Sequence, residues 1–250
     1  MRKFGWKPDI PDQRDHMYFA PAHTLMTLPP SVDLRDDCPP VVDQGELGSC
    51  TACAIANAHR YDQMKQNAKD FMPSRLFIYY NERAMEGTVK SDSGAYIRDG
   101  MKSISKLGVC SESVWKYDIR KFAKKPPMGL YTEALKHQAI SYKRLTPTLP
   151  QLKSCLAEGY PFVFGFAVYE SFMSDSVAET GQVHMPSLNE SMLGGHAVLA
   201  VGYDDATQTF IVMNSWSEQW GDFGMFYMPY AYLTNNDLAD DFWTVRLVEV

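Results

Sequence analysis

The sequence predicts an α+β fold whose helices come first and whose antiparallel strands come second. Three observations carry this. Apolar residues recur with helical spacing from Cys50 to about Lys65, from Pro73 to Arg83 and from Ala95 to Leu107. Beyond residue 160 the pattern changes to short strand-length runs, at 160–169, 196–203, 209–213, 225–228 and 243–248, separated by turns such as Gly202-Tyr203-Asp204-Asp205. Between the two halves stands Pro126-Pro127, which can continue neither a helix nor a central strand and is the expected crossing point.

Taken in order, residues 1–30 are rich in proline and charge and read as an extended, largely irregular arm. Two readings of it remain open: an arm packed on the surface, or a short inhibitory segment lying in or across a cleft. Trp6-Lys7-Pro8-Asp9-Ile10-Pro11-Asp12 combines a large ring, an aliphatic side chain and two prolines, so it can stay extended at low entropic cost. The body of the chain then runs over 31–250, with a helical lobe at about 41–127 and a sheet lobe at about 128–250. Its first helix, from Cys50, is rich in small residues that permit close packing. Ser74 is placed to cap the second helix and Gly108 to close the third. A short helical stretch around 149–158 precedes the strands, and 170–191 is a long polar insertion of the kind that often shapes a binding site.

Composition bounds the function classes. The chain has 250 residues, 45% hydrophobic and 22% charged, the balance of an ordinary globular protein. A formal charge of −6 without a basic run argues against a nucleic-acid partner. No stretch approaches the roughly 18 apolar residues of a membrane span. The start has basic residues but no apolar run after them, so an intracellular, cytoplasmic location is expected. Five cysteines without dense spacing suit reduced thiols. Cys50-Thr51-Ala52-Cys53 has the form of a redox or zinc motif but no second pair to complete a metal site, and neither a metal nor a cofactor is expected.

The chemistry concentrates at Asp43-Gln44-Gly45-Glu46-Leu47-Gly48-Ser49-Cys50, a glycine-rich turn running into a helix. Free N–H groups and the positive end of a helix favour thiolate over thiol, so Cys50 is a candidate nucleophile; the bland reading is a buried, inert cysteine. Far downstream, Gly194-Gly195-His196-Ala197 heads one strand-like run, and a second ends in Asn214-Ser215-Trp216. A nucleophilic cysteine needs a base and a group that orients the base, and Cys50, His196 and Asn214 supply these types in that order.

On Gln44-Gly45, Gly48-Ser49-Cys50, Gly195-His196-Ala197 and Asn214-Ser215-Trp216, the chain resembles the papain-like cysteine peptidases, the family of papain and the cathepsins. His196 follows Cys50 by 146 residues and Asn214 follows it by 164, against a spacing of roughly 130–150 usual in that family. Leu47 and Thr51 stand where the family usually has a bridging cysteine and an aromatic ring, a pattern more like its bacterial and large-virus branch. The resemblance implies a two-lobe fold with the active site in the cleft between a helical lobe and a barrel-like antiparallel sheet lobe. It implies Cys50 as nucleophile, His196 as base, Asn214 as the orienting group, Trp216 covering their hydrogen bond, and Gln44 as the side-chain donor of an oxyanion hole. Gly94 and Ala95, with Gly195 and Trp216, are the expected substrate-binding positions. The expected activity is hydrolysis of protein or peptide substrates through a thioester, as an endopeptidase. The alternatives are an exopeptidase, an isopeptidase or an inactive binding protein of the same fold.

Overall fold

The computed structural model describes residues 2–249. The arm comes first, with a two-residue strand β1 (Trp6–Lys7) and a short helix α1 (Ala22–Met26), and it leads into β2 (Ser31–Asp33). The helical part follows. It comprises α2 (Cys50–Lys65), α3 (Arg75–Met85), a two-residue β3 (Ala95–Tyr96) continuing directly into α4 (Ile97–Lys106), and α5 (Met128–Ala134). The helix expected from Ala95 thus begins two residues later, because Ala95 and Tyr96 are held extended against β1.

Ser74 does cap α3, its hydroxyl accepting from Phe77 N, and Gly108 follows α4 at φ +69°. Its left-handed conformation and the approach of the Ala134 carbonyl leave no room for a Cβ. The α5 helix stays with the helices: Tyr131 donates to Asn81 Oδ1 at 2.9 Å and packs on Phe77. The chain therefore does not cross at Pro126-Pro127. It crosses just before β4 (Ala139–Arg144), because Pro127 opens a helix rather than ending the helical layer.

The second half adds α6 (Leu149–Ala157), β5 (Phe162–Tyr169), α7 (Asp175–Thr180) inside the polar insertion, β6 (Met192–Asp204), β7 (Thr209–Met213), β8 (Met225–Pro229), α8 (Tyr230–Leu233) and β9 (Ala239–Val248). Together with β2 these strands make one seven-stranded antiparallel sheet in the order β4-β9-β5-β6-β7-β8, with β2 on the far part of β6. Its core is aromatic, with Phe162, Phe164, Phe166 and Phe242 packed ring against ring. The α2 helix lies against this sheet on one side and the other helices on the other, so its small residues, Ala52, Ala54, Ala56 and Ala58, are all buried. An extra residue on β9 opposite Val163–Gly165 makes a β-bulge, and Asp241 within it has φ +59°. The first residue of α2 and the head of β6 consequently face each other across the junction of the two parts.

Candidate active site

Cys50 is the first residue of α2 and is fully buried. His196 lies on β6, and Asn214 immediately follows β7, the strand paired with β6. His196 Nε2 and Asn214 Oδ1 are 2.8 Å apart, and the same oxygen accepts from Ser215 N at 2.8 Å. An oxygen in that position can only accept, so Nε2 carries the proton and Nδ1 is left as the basic nitrogen, with no hydrogen bond of its own. The indole of Trp216 stacks on the imidazole at 4.8 Å and 27°. It shields the His196–Asn214 bond on that side.

Gln44 is completely buried, and its amide orientation follows from its partners. Ser215 Oγ and Trp216 Nε1 both donate to Oε1, at 2.7 and 3.2 Å. Nε2 must therefore face the cleft, where it donates to Lys3 O at 3.1 Å as well as to Leu47 O at 2.9 Å. Ser215 was not among the residues expected to matter, although it stands inside the Asn214-Ser215-Trp216 motif. Leu47 is buried, and Thr51 donates to Glu82 Oε2 at 2.9 Å, so a hydrogen bond to a buried carboxyl anchors α2 where a ring would otherwise pack.

The arm occupies the cleft. Gly5 O accepts from Ala95 N at 2.7 Å, and β1 pairs in parallel with β3. A Cβ on Gly94 would meet Gly5 O at 2.1 Å, and one on Gly195 would meet Trp6 O at 2.6 Å. Phe4 lies against both His196 and Trp216, at 6.4 Å between ring centroids in each case. Arg2 Nη2 donates to Trp216 O at 3.1 Å. Each of the four positions named for substrate binding, Gly94, Ala95, Gly195 and Trp216, thus touches the arm. Ion pairs join the arm to the helical side of the cleft mouth: Arg2 to Asp43, Lys3 to Asp92 at 2.8 Å, and Lys7 to Glu86.

Trp6 fills a pocket between β5 and the head of β6. Its ring lies on Gly165, where a Cβ would come within 2.0 Å of Cε2, and its Nε1 donates to Asp241 Oδ2 at 2.9 Å. Asp9 N donates to the same oxygen at 2.7 Å, while Asp9 Oδ2 accepts from Trp243 Nε1 at 3.0 Å. Arg144 pairs with Asp241 at 2.9 Å and Asp15 at 3.2 Å, and Arg98 pairs with Asp15 at 2.7 Å. From sequence the paired acids Asp240-Asp241 read as solvated surface, but Asp241 is fully buried, because nothing local marks a bulge residue as pocket floor.

Burial shifts both titrating groups of the site. Burial pushes the Cys50 thiol up to about 12, although the N–H groups of Ala197 and Gly5 point at the sulfur and favour its ionised form. Burial likewise pulls His196 down to about 4, against the hydrogen bond to Asn214 that raises it. Desolvation here opposes the thiolate that the helix start favours, and burial favours the neutral form of each group. All five cysteines are free, and among the described residues no cluster of three or more His, Cys, Asp or Glu could hold a metal.

Comparison with known proteins bears on the family. A family profile described as papain family cysteine protease matches residues 28–241. An uncharacterized peptidase C1-like protein of Acanthamoeba polyphaga mimivirus is 44% identical over 272 residues, spanning 99% of this chain and 88% of that protein. The crystal structure of xylellain, a cysteine protease from Xylella fastidiosa, superposes with a TM-score of 0.91 at 44% identity, covering 97% of this chain and 95% of the other. A digestive procathepsin L 3 of Tenebrio molitor, at 21% identity, shares the fold with a TM-score of 0.75 over 94% of this chain and 75% of its own. With bacterial and large-virus relatives at 44% identity, the chain belongs to the papain family of cysteine proteases.

Proposed function

We propose that the protein is a cysteine endopeptidase held closed by its own N-terminal arm. The carrying observation is that a stretch of backbone lies in the cleft with Lys3 O on Gln44 Nε2 and Gly5 O on Ala95 N. These are the contacts an extended peptide substrate requires, with one carbonyl at an oxyanion donor and another on a strand edge. The arm continues past Cys50 in both directions, to Asp43 and Trp216 through Arg2 and to Asp241 through Asp9. A groove open at both ends suits cleavage within a chain rather than at its terminus.

In the reaction, the arm leaves and water re-enters the cleft, so the Cys50 proton passes to His196 Nδ1. The sulfur attacks the scissile carbonyl carbon, and the negative oxygen is met by Gln44 Nε2 and the Cys50 N–H. Collapse expels the amine, which takes the proton from His196 and leaves a thioester on Cys50. Water, giving its proton to His196, then releases the acid and restores the thiol. Asn214 holds the ring through Nε2 throughout.

The test uses an active-site-directed epoxide and a fluorogenic peptide blocked at both ends, on the full chain and on a chain starting at Ser31 confirmed folded by circular dichroism. Labelling at Cys50 and internal cleavage, both faster without the arm, are expected. Hydrolysis only of substrates with a free terminus would replace endopeptidase by exopeptidase, and equal rates in the two chains would reduce the arm to surface packing.

A further inference from the structure

The side chain of Gln44 is aimed from the sheet by Ser215 and Trp216, but the backbone beneath it is held from the opposite side. Asp43 O accepts from Arg75 Nη1 at 2.9 Å, and Gln44 O accepts from the Tyr117 hydroxyl at 2.9 Å. The same hydroxyl lies 2.5 Å from Ser49 Oγ, on the residue just before Cys50. A carbonyl can only accept, so the Tyr117 proton goes to Gln44 and the Ser49 proton goes to Tyr117. Ser49 is the N-cap residue of α2 and a serine there ordinarily caps its own helix, yet it makes no side-chain cap bond. Its hydroxyl is committed to Tyr117 instead.

Tyr117 is itself held firmly. The Arg75 guanidinium lies 3.8 Å from its ring centroid and is anchored on both oxygens of Glu112, at 2.7 and 2.9 Å. Burial pushes the phenol up, which keeps it a donor. We propose that Tyr117 is a positioning residue for the oxyanion hole: one hydroxyl ties the Gln44 backbone to Ser49 and so fixes the side-chain donor relative to the Cys50 N–H. This rests on the reading of Gln44 and Cys50 as the two donors, and it adds a hold from the helical side to a Gln44 side chain aimed from the sheet.

The test compares two reagents on the full chain and on Tyr117→Phe. A peptide aldehyde forms a hemithioacetal as the Cys50 sulfur adds to its carbonyl carbon and the oxygen enters the hole. Iodoacetamide alkylates the same sulfur, expelling iodide, and needs no hole. The arm restrains both reagents, so the ratio of variant to parent in the two assays removes its effect. Tyr117→Phe should weaken aldehyde affinity about tenfold, less than the roughly 10²–10³ that follows loss of an oxyanion donor itself, and leave alkylation within about twofold. On a peptide substrate kcat should fall with KM unchanged. The double variant with Ser49→Ala should be no worse than Tyr117→Phe alone, because the two hydroxyls form one chain. If Tyr117→Phe does not fold, Ser49→Ala carries the same comparison. Unchanged aldehyde affinity, or equal losses in both assays, overturns the proposal. A parent chain that hydrolyses a peptide substrate but does not bind the aldehyde removes the oxyanion reading, and this proposal with it.

Discussion

Replacing Trp6 by alanine in the full chain should open the cleft. The ring is 9% exposed, and it fills the space that Gly165 and Gly195 leave by lacking side chains. Truncating a buried tryptophan to alanine costs about 3–5 kcal/mol in a core, and the lower end suits a docked arm whose surroundings can relax. Nε1 also donates to Asp241 Oδ2, so the variant leaves that buried oxygen with Asp9 N alone as donor. A loss of about 3 kcal/mol, at about 1.4 kcal/mol per factor of ten, raises the open fraction roughly 10²-fold until the arm is mostly undocked. The assay is the second-order rate of Cys50 alkylation by iodoacetamide, with the modified residue identified by mass spectrometry and folding checked by circular dichroism. A rate within about twofold of the parent, in a folded variant, refutes the idea that Trp6 holds the cover in place.

The docked arm should loosen as pH rises. Burial raises Asp9 and takes Asp241 to about 7, so docking takes up protons and is fully present below the ordinary carboxylate range and lost as pH rises through about 7. Facing these two groups are Arg144, Arg98, Asp15 and Asp240, so with Asp9 and Asp241 themselves four acids share two bases. Between pH 6 and 8, alkylation of the full chain should therefore climb more steeply than alkylation of Trp6→Ala, by up to about tenfold per pH unit for each proton released; parallel profiles would refute this linkage. Cys50→Ala should abolish peptide hydrolysis while Cys53→Ala, a buried thiol 3.9 Å from Ser49 Oγ, keeps most of it, and equal losses in two folded variants would reassign the nucleophile. His196→Ala should cost more in kcat than Asn214→Ala, since orienting a base is worth less than being one, and the reverse order would exchange their roles. Asp62 is buried with neither oxygen hydrogen-bonded, and burial takes it up to about 8, so its penalty grows from the ordinary carboxylate range to pH 8. Asp62→Asn should raise Tm at pH 8 by roughly 2–4 °C for each kcal/mol gained and leave it unchanged near pH 4, and an equal shift at both values would contradict the buried charge.

Much of the fold was legible because its signals are local. The small-residue helix from Cys50, the Ser74 cap and the strand runs on either side of Asn214 are each set by residues close together in the chain, and the structure has them where spacing put them. The chemistry was legible for a related reason: thiol, imidazole and amide are rare enough in those contexts that four short motifs single them out. Two local readings failed where packing overrode propensity. Pro126-Pro127 opens a helix instead of marking the crossing, and Ala95-Tyr96 is pulled extended by the arm.

Only the tertiary structure decided what covers the site and in what protonation state it rests. Trp6 finds its hydrogen-bond partner 235 residues away, Gln44 takes Ser215 from 171 residues away, and Tyr117 reaches Gln44 across 73. No periodicity encodes such pairs, because they depend on how the sheet registers and where β9 bulges. The same holds for charge. A helix start by itself favours the Cys50 thiolate, whereas burial favours the thiol, and burial is a property of the assembled chain.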